Sequence, residues 1–300
     1  MKKTFILGAA LAAACAFTTT TFTSCDNDDP VVTPDTPQDD ADLDYSASNA
    51  TAWGNYMKNV AALLKSDAEK LYSQWAESYE NAGVNTGVPY ATLFKNHDSR
   101  SGYSTVNSCA QEIVEKMAEI ANEVGSSKIG DPYAKWTSGK QTEALYAVES
   151  WYSWHSRDDY TNNIKSIANA YYGKLNGSES NMAEASMAKA LEGTAIDRTI
   201  RKQIADAQAA IQGITQPFRN HIGSTEAQQA MEACAALQAS LSEVTNDEDE
   251  VEAGAAAVNL RDAVLKLDEA TLQAIINNYV DNVVVPTYKN LKEQNTILYQ

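Results

Sequence analysis

The sequence predicts an all-α protein built from two helical bundles. From residue 47 onward, apolar residues recur at intervals of three and four, the period of a helix that buries one face. No stretch of any length alternates between apolar and polar residues, as a half-buried strand would. Gly and Pro fall between the periodic stretches, so the helices are long and the breaks are short. Long amphipathic helices with short breaks are typical of bundles.

The first predicted helix carries one broad apolar stripe. Its members are Trp53, Tyr56, Met57, Val60, Leu63, Leu64, Ala68, Leu71, Trp75 and Tyr79. Gly83, Gly87 and Pro89 end this helix. A second helix is predicted over 104–124, directly before Gly125. Further helices are predicted over 181–192, 195–213, 225–243 and 249–300.

The first twenty-five residues are predicted to be a lipoprotein signal peptide. Two lysines precede an apolar run over 5–17, which is too short to span a membrane. The segment Phe22-Thr-Ser-Cys25 resembles a bacterial lipobox, so Cys25 is the expected lipidation site. The acidic DNDD that follows resembles the surface-export signal of lipoproteins in the Bacteroidetes. We expect an outer-membrane lipoprotein that faces outward; a periplasm-facing lipoprotein, or a plain secretory signal with an incidental cysteine, is the alternative.

Residues 26–45 are rich in Asp, Pro and Thr and offer nothing to bury, so they are predicted to be a disordered tether. The net charge of −17, from 40 acidic and 23 basic residues, argues against binding to nucleic acid, because phosphates would be repelled. Acidity of this kind serves solubility, or it attracts cations. The lipid anchor is the only expected contact with a membrane.

Two cysteines remain after the signal and the anchor are removed, Cys109 and Cys234. An oxidising compartment would permit a disulfide, but they lie in separate predicted helices and the sequence does not show whether they meet. Cys234 lies on an Ala-rich apolar face, which favours a small buried side chain. The absence of any Cys/His ligand spacing argues against a structural zinc site.

The helical period breaks within residues 141–173. An apolar face before Glu149 gives way to polar and aromatic residues up to Asn163, and the period then returns. A helix interrupted by clustered polar groups is a place where a site can form. The candidate site residues are Glu149, Ser153, His155, Ser156, Arg157, Asp158 and Asp159.

On a regular helix Ser150, Ser153 and Ser156 would lie along one side, and Glu149 and Ser153 would share a face. Carboxylates, hydroxyls and an imidazole form a plausible ligand set for iron or another divalent metal. Alternatively, the cluster is a buried polar network that holds two bundles together.

Four residues have open roles. Arg157 either grips an anionic ligand or pairs with a neighbouring aspartate. His155 is either an interior hydrogen-bonded histidine or a ligand. After Pro217, Arg219 and His221 either face the same cleft or belong to an ordinary turn.

Four segments resemble the imelysin-like proteins. The pattern Ser150-x-x-Ser153-x-x-Ser156-x-x-Asp159, followed by Asn169-x-x-Tyr172-Gly173, is similar to the family's Ser/Asp signature. The helix from Trp53 to Trp75 resembles the one that opens the family's second half. Residues 216–222 (QPFRNHI) resemble its Pro-Phe turn, and residues 279–288 (YVDNVVVPTY) resemble its first helix. The resemblance spans most of the chain after the tether.

The order of these segments differs from that of a standard imelysin, because the segment similar to the first helix comes last. The resemblance therefore implies a circularly permuted member, with residues 46–245 as the second-half bundle and 246–300 as the start of the first half. The family's Gly-x-His-x-x-Glu motif has no counterpart here: the three histidines read HDSR, HSRD and HIGS. We expect that this segment is either missing from the sequence or lost in this member, which leaves the second bundle incomplete.

The resemblance implies two functions, and a third is an alternative to both. The first is an iron-uptake lipoprotein that binds a metal ion or a metal-carrying ligand where two bundles meet, with outer-membrane uptake proteins as partners. The second is the metallopeptidase activity long attached to the family (M75), although a zinc peptidase needs paired ligands and a carboxylate base that no spacing here supplies. The third is a non-catalytic helical scaffold or adhesion lipoprotein.

Overall fold

The computed structural model describes residues 50–150, 153–242 and 259–298. Its α-helices are α1 Ala50–Ala76, α2 Tyr90–Lys95, α3 Val106–Asn122, α4 Asp131–Thr137, α5 Gln141–Tyr146, α6 Ser156–Tyr172, α7 Met187–Ala190, α8 Ala195–Gly213, α9 Thr225–Ser242, α10 Leu260–Leu265, α11 Glu269–Tyr279 and α12 Val285–Leu298. Segments of π-helix cover Glu123–Gly130 and Val280–Val284, and 3₁₀ turns cover Ser99–Ser101 and Phe218–Asn220. A short antiparallel hairpin pairs β1 Glu80–Asn81 with β2 Val84–Asn85. The all-α prediction is confirmed.

The predicted signal peptide, Cys25 and the tether lie outside the described residues. Within the described part of the chain, none of the helices combines the length and the apolar character needed to cross a bilayer.

Four helices form the central bundle. Helix α9 packs between α8 and α3, and α6 closes the ring by packing against both of them. The inward face of α8 follows the predicted period, with Ile200, Ile204, Ala207 and Ile211 buried at intervals of three and four. The periodic signal therefore predicted α8 and α9 almost to the residue.

The helices of the central bundle begin and end at recognisable caps. Helix α3 starts with a capping box between Thr105 and Ser108. Helix α6 ends at Gly173 in the left-handed region, with φ of 66°. Asn278 Nδ2 donates to the Gly173 carbonyl at 2.7 Å, and an added Cβ on Gly173 would lie 2.5 Å from the same nitrogen. This glycine is thus required both by its backbone conformation and by the close approach of α11.

The C-terminal helices pack on the outside of the central bundle. Helices α10 and α11 lie against α3, and α12 runs along α1. The rings of Trp75 and Tyr288 are 5.8 Å apart, and Lys292 Nζ lies 4.6 Å from the Tyr72 ring, so α1 and α12 are antiparallel. The predicted domain boundaries at 245 and 246 and the permuted order stay predictions.

Helix α1 is longer than its partner. At 1.5 Å per residue α1 spans about 40 Å and the described part of α12 about 21 Å, so the first half of α1 extends past α12. Four large apolar side chains there, the α1 apolar stripe, remain in solvent: Tyr56 (50% exposed), Met57 (62%), Val60 (38%) and Leu63 (62%). Within α1 only Ala68 and Trp75 are buried.

Several predicted boundaries were wrong. The first helix ends at Ala76, so Tyr79 is buried beyond it and beside the hairpin. Over 181–192 only Met187–Ala190 is helical, because an isolated bridge between Ser178 and Asn181 and the cap at Ser186 hold the chain in turns before it. Over 249–300 the described part is divided among three α-helices and a π-helical segment.

Both remaining cysteines are buried free thiols. Cys109 Sγ donates to the Phe94 carbonyl at 3.4 Å. Cys234 lies against the π-helical segment, where a Cβ on Gly125 would come within 2.8 Å of the Cys234 Cβ. The prediction that Cys234 is a small buried side chain is confirmed.

Candidate functional site

The connection between α5 and α6 is a turn that places several of the candidate residues. Ser150 and Trp154 both adopt left-handed backbone conformations, with φ of 56° and 60°, which cost free energy for residues other than glycine. The hydroxyl of Ser156 donates to the Glu149 carbonyl at 2.5 Å and closes the turn. The chain becomes helical only at Ser156.

The prediction that the serines lie along one side of a regular helix was therefore wrong. Polar side chains that bond to nearby backbone compete with helix formation, as Ser156 does here. Ser153 is exposed in the turn, where its hydroxyl donates to the Ser150 carbonyl at 3.3 Å. It does not share a helix face with Glu149.

A buried lysine lies beneath this turn. The Lys128 side chain is 2% exposed, and its Nζ is 3.2 Å from Glu149 Oε2 and 3.5 Å from Glu123 Oε1. Lys128 comes from the π-helical segment after α3, and its carbonyl accepts from the buried Tyr160 hydroxyl at 3.3 Å. Burial raises the pKa of Glu149, and the charge of Lys128 opposes that rise.

Asp159 lies beside this ion pair in the first turn of α6. The Ser150 hydroxyl donates to Asp159 Oδ2 at 2.5 Å. Burial raises the pKa of Asp159, and the hydrogen bond from Ser150 works against that rise. The negative charge of Asp159 in turn adds to the raised pKa of Glu149, so the two carboxylates interact.

His155 and Asp158 form the outer edge of the turn. Their side chains are 66% and 54% exposed, and His155 Nδ1 lies 3.3 Å from Asp158 Oδ2. An exposed pair of this kind contributes little to stability. The structure therefore places His155 at the surface and not among interior hydrogen bonds.

Arg157 points away from the carboxylates. Its NH1 donates to the carbonyls of Gln212 and Ile214, at 3.3 and 3.2 Å. With the Gln216 amide turned to accept, its oxygen lies 3.1 Å from Arg157 Nε. These acceptors belong to the end of α8 and the loop after it, so Arg157 holds α6 to α8. These contacts differ from the predicted pairing with a neighbouring aspartate, and the binding of an anionic ligand by Arg157 stays a prediction.

The turn after α8 brings Arg219 to the site. The Gln216–Pro217 peptide bond is cis, and Phe218 packs edge-on against the Tyr160 ring at 5.9 Å. Arg219 is 6% exposed, and its guanidinium lies 4.8 Å from the centre of the Trp154 ring. Such stacking is a cation–π contact. Arg219 therefore lies beside the α5–α6 turn, and its role as a site residue stays a prediction.

His221 ends the 3₁₀ turn. Its amide donates to the Phe218 carbonyl at 2.8 Å, and its carbonyl accepts from Ser224 at 3.1 Å. These backbone contacts belong to the turn itself, and a role of the His221 side chain in the site stays a prediction.

We call the inner group the α6 N-terminal cluster: Lys128, Glu149, Ser150, Asp159 and Arg219. It lies where the π-helical segment, the α5–α6 turn and the turn after α8 meet. Sequence reasoning missed Lys128, because the predicted helix over 104–124 stopped before it. A lysine between the apolar residues Val124 and Ile129 was the available signal.

The fit of this cluster to a bare metal ion is poor. Among the described residues, no group of three or more His, Cys, Asp or Glu side chains is placed to hold a metal. Glu149 faces Lys128, Asp159 accepts from Ser150, and His155 lies outside at the surface. The cluster offers two interacting carboxylates, a buried cation and a stacked guanidinium.

Known proteins resemble this chain in sequence and in structure. The family profile described as "Imelysin" (peptidase M75) matches residues 28–244. The crystal structure of an imelysin peptidase from Bacteroides ovatus is 50% identical and superposes with a TM-score of 0.73, over 87% of this chain and 69% of that one. That of a putative iron-regulated protein A precursor from Parabacteroides distasonis is 36% identical with a TM-score of 0.54, over 59% and 51% of the two chains.

A more distant relative is the iron-regulated protein A of Synechococcus elongatus, which is 25% identical over 167 residues. The match covers 55% of this chain and 43% of that protein, so the chain spans less than half the length of this relative. The profile match alone extends over more than two thirds of the 300 residues. The chain therefore belongs to the imelysin family.

Proposed function

We propose that this imelysin is an iron-related protein of the cell envelope that binds an iron-carrying ligand at the α6 N-terminal cluster. The observation that carries the proposal is the cluster itself: Glu149 and Asp159 are partly buried carboxylates with raised pKa values. Glu149 pairs with the buried Lys128, and Asp159 accepts from Ser150, whose backbone conformation is of high energy. Perturbed carboxylates and strained backbone concentrate at functional sites.

The arrangement favours iron that arrives as a complex over the bare ion. Two carboxylates are too few to satisfy a ferric ion, and each is already engaged by Lys128 or Ser150. An ion whose coordination is partly filled by a small chelator needs only one or two protein oxygens. Lys128 and Arg219 then supply positive charge for an anionic chelator.

Iron is suggested by the relatives. Two of the matched proteins carry the name iron-regulated protein A, from Parabacteroides distasonis and Synechococcus elongatus. The acidic chain, with its net charge of −17, suits a protein that attracts cations.

The proposed location is the outer membrane, with Cys25 as the lipid-bearing residue and the domain facing outward. A labelled fatty acid should attach to the wild-type protein and not to Cys25→Ala. Protease added to whole cells should remove the domain if it faces outward and leave it intact if it faces the periplasm. Label that attaches equally to both proteins would rule out Cys25 as the anchor.

Calorimetry on residues 26–300 tests the ligand. The titrants are ferrous, ferric and zinc ions, and ferric ion complexed with a hydroxycarboxylate or a catecholate. We expect saturable binding of a complex that is lost in Asp159→Ala, while Asp131→Ala, which removes an exposed aspartate from the first turn of α4, binds as the wild type does. Loss of helix content in Asp159→Ala without a binding defect would assign the cluster to structure.

The same titration separates the alternatives. Tight binding of bare zinc together with cleavage of a peptide substrate would support the metallopeptidase function instead. Binding of no ion and of no complex would support the scaffold function.

A further inference from the structure

A pocket lies at the C-terminal end of α6, away from the α6 N-terminal cluster. Its volume is about 510 Å³, and it is open to solvent between α6, α8 and the loop that follows α6. The wall from α8 consists of Arg198, Arg201, Lys202, Ala205 and Gln208, at the spacing of one helix face. Ala168 of this pocket lies nine residues after Asp159 on α6, about 14 Å along the helix. The pocket is therefore separate from the α6 N-terminal cluster.

The charged side chains that line this pocket are mainly cationic, although the chain as a whole is acidic. Three cationic side chains and one anionic side chain, Glu179, line it, in a protein whose net charge is −17. Glu179 extends into solvent and is 82% exposed. A concave surface that concentrates positive charge attracts anions even when the whole protein is acidic.

Arg201 is held in place before any ligand binds. Its Nε donates to Asp197 Oδ1 at 2.6 Å, and NH2 donates to the Ala188 carbonyl at 3.1 Å. Asp197 is fixed in turn by the Tyr171 hydroxyl at 2.6 Å. The guanidinium also lies 5.6 Å from the centre of the Tyr172 ring. Because its position is fixed, Arg201 loses little conformational entropy when it binds a ligand.

One nitrogen of Arg201 remains for a ligand. In the described part of the chain NH1 has a single acidic neighbour, Glu179 Oε1, at 4.0 Å, which is too long for a hydrogen bond. One turn away, Arg198 is an exposed residue that donates through NH1 to the Gly193 carbonyl at 2.6 Å. Two guanidinium groups thus border one cavity.

Part of the pocket lining is apolar. Ala168, Tyr172 and Ile204 are buried residues whose surfaces line it. The volume is several times that of a phosphate ion, so an inorganic anion would leave most of the cavity to water. A small carbon skeleton would cover the apolar side while its acidic groups reach the cations.

We propose that this pocket binds a small organic polycarboxylate, with one carboxylate on Arg201 and a second on Arg198 and Lys202. NH1 of Arg201 donates to the first carboxylate, and the guanidinium of Arg198 with the ammonium group of Lys202 supplies donors for the second. Glu179 occupies the mouth of the pocket and competes with the ligand for Arg201. The proposal concerns a different site from the iron-carrying ligand and stands without it.

Calorimetric titration with citrate tests the proposal on the soluble domain, at low and at high salt. Arg198→Gln and Lys202→Gln, both exposed residues, should each weaken binding by about tenfold, because each removes a charged donor. Glu179→Gln should tighten binding by about threefold, because it removes the competing carboxylate. A purely structural role for Glu179 predicts no such gain. High salt should weaken binding.

Matched controls exist elsewhere on the surface. Lys135 pairs with Asp131 four residues before it, and Lys202 pairs with Asp206 four residues after it. Lys135→Gln, Arg100→Gln and Glu226→Gln make the same charge changes far from the pocket and should leave citrate affinity unchanged. If the control variants change citrate affinity as much as the pocket variants do, the change reflects net charge alone and the proposal is wrong.

Competition identifies the class of ligand. Tricarballylate, which has three carboxylates and no hydroxyl, should displace citrate, and inorganic phosphate at equal ionic strength should not. Displacement by phosphate at similar concentration, or the absence of saturable citrate binding in the folded wild-type domain, would refute the proposal.

Discussion

Replacement of Lys128 by Met should destabilise the fold by an amount that depends on pH. The lysine side chain is 2% exposed and is the cation for Glu149 (33% exposed) and Glu123 (47% exposed). Methionine fills a similar volume but leaves Glu149 in a partly buried site without its cation. The prediction separates a charge interaction from simple packing.

The magnitude follows from the burial of the partners. Removing one partner of a fully buried ion pair costs about 3–5 kcal/mol. Solvent reaches both glutamates here, so we expect a loss of about 2 kcal/mol in the free energy of unfolding at neutral pH. The exposed pair Lys140–Glu143 (59% and 56%) is the matched control, and Lys140→Met should cost less than about 0.5 kcal/mol.

The pH dependence has a definite sign. Burial holds the pKa of Glu149 above its ordinary value of 4.5, and loss of Lys128 raises it further. A folded-state pKa above the unfolded value means that the folded chain binds the proton more tightly, so stability falls as pH rises through the folded pKa. The deficit of Lys128→Met should therefore be largest above that pKa and shrink as pH falls toward the ordinary value.

Urea unfolding followed by circular dichroism, at several pH values, measures this deficit. The double variant Lys128→Met/Glu149→Gln completes a mutant cycle and should recover part of the loss, because it removes the uncompensated carboxylate. A deficit that is the same at all pH values, or no larger than that of Lys140→Met, would contradict the interpretation.

Three further predictions concern packing. Gly173→Ala should lower the free energy of unfolding by about 1–3 kcal/mol, because φ is 66° and the new Cβ would meet Asn278; urea unfolding checks it, and unchanged stability would contradict it. Gly125→Ala should lower the free energy of unfolding by a similar amount, because the new Cβ would lie 2.8 Å from the Cβ of Cys234. A lowered midpoint of thermal unfolding would support this prediction, and an unchanged midpoint would contradict it. Burial raises the pKa of Cys109 and of Cys234 to about 12, so iodoacetamide should modify neither thiol in the native protein at pH 8 and both after unfolding; rapid native labelling would refute this.

Local periodicity was sufficient for the long helices of the central bundle. Helix α8 has its apolar residues at intervals of three and four from Ile196 to Ile211, and Thr194 caps its first turn. Such information is local to the segment, so the sequence alone predicts the helix and its ends. The π-helical segment after α3 was missed because one extra residue per turn leaves the apolar pattern nearly helical.

The sequence indicated where along the chain the α5–α6 turn lies, but it did not indicate the backbone conformation of that turn. The break in period near Glu149 correctly located the α5–α6 turn. The left-handed conformations of Ser150 and Trp154 have no marker in the sequence, since glycine or asparagine normally fills such positions. Contacts between distant residues, such as Arg219 with Trp154, depend on how α6 and the turn after α8 pack together, and local pattern cannot supply them.

Helix α1 packs against α12 along only part of its length, so its two halves should differ in stability. The second half is fixed by Trp75 and by α12, whereas the first half carries the α1 apolar stripe in water. Four side chains at about 2 kcal/mol each, roughly half of each still hydrated, leave about 4 kcal/mol of unrealised hydrophobic free energy. A helical half that lacks tertiary packing is marginal in water. Backbone amides of the first half should therefore exchange with deuterium well before those of the second, with the helix opening from its N-terminal end.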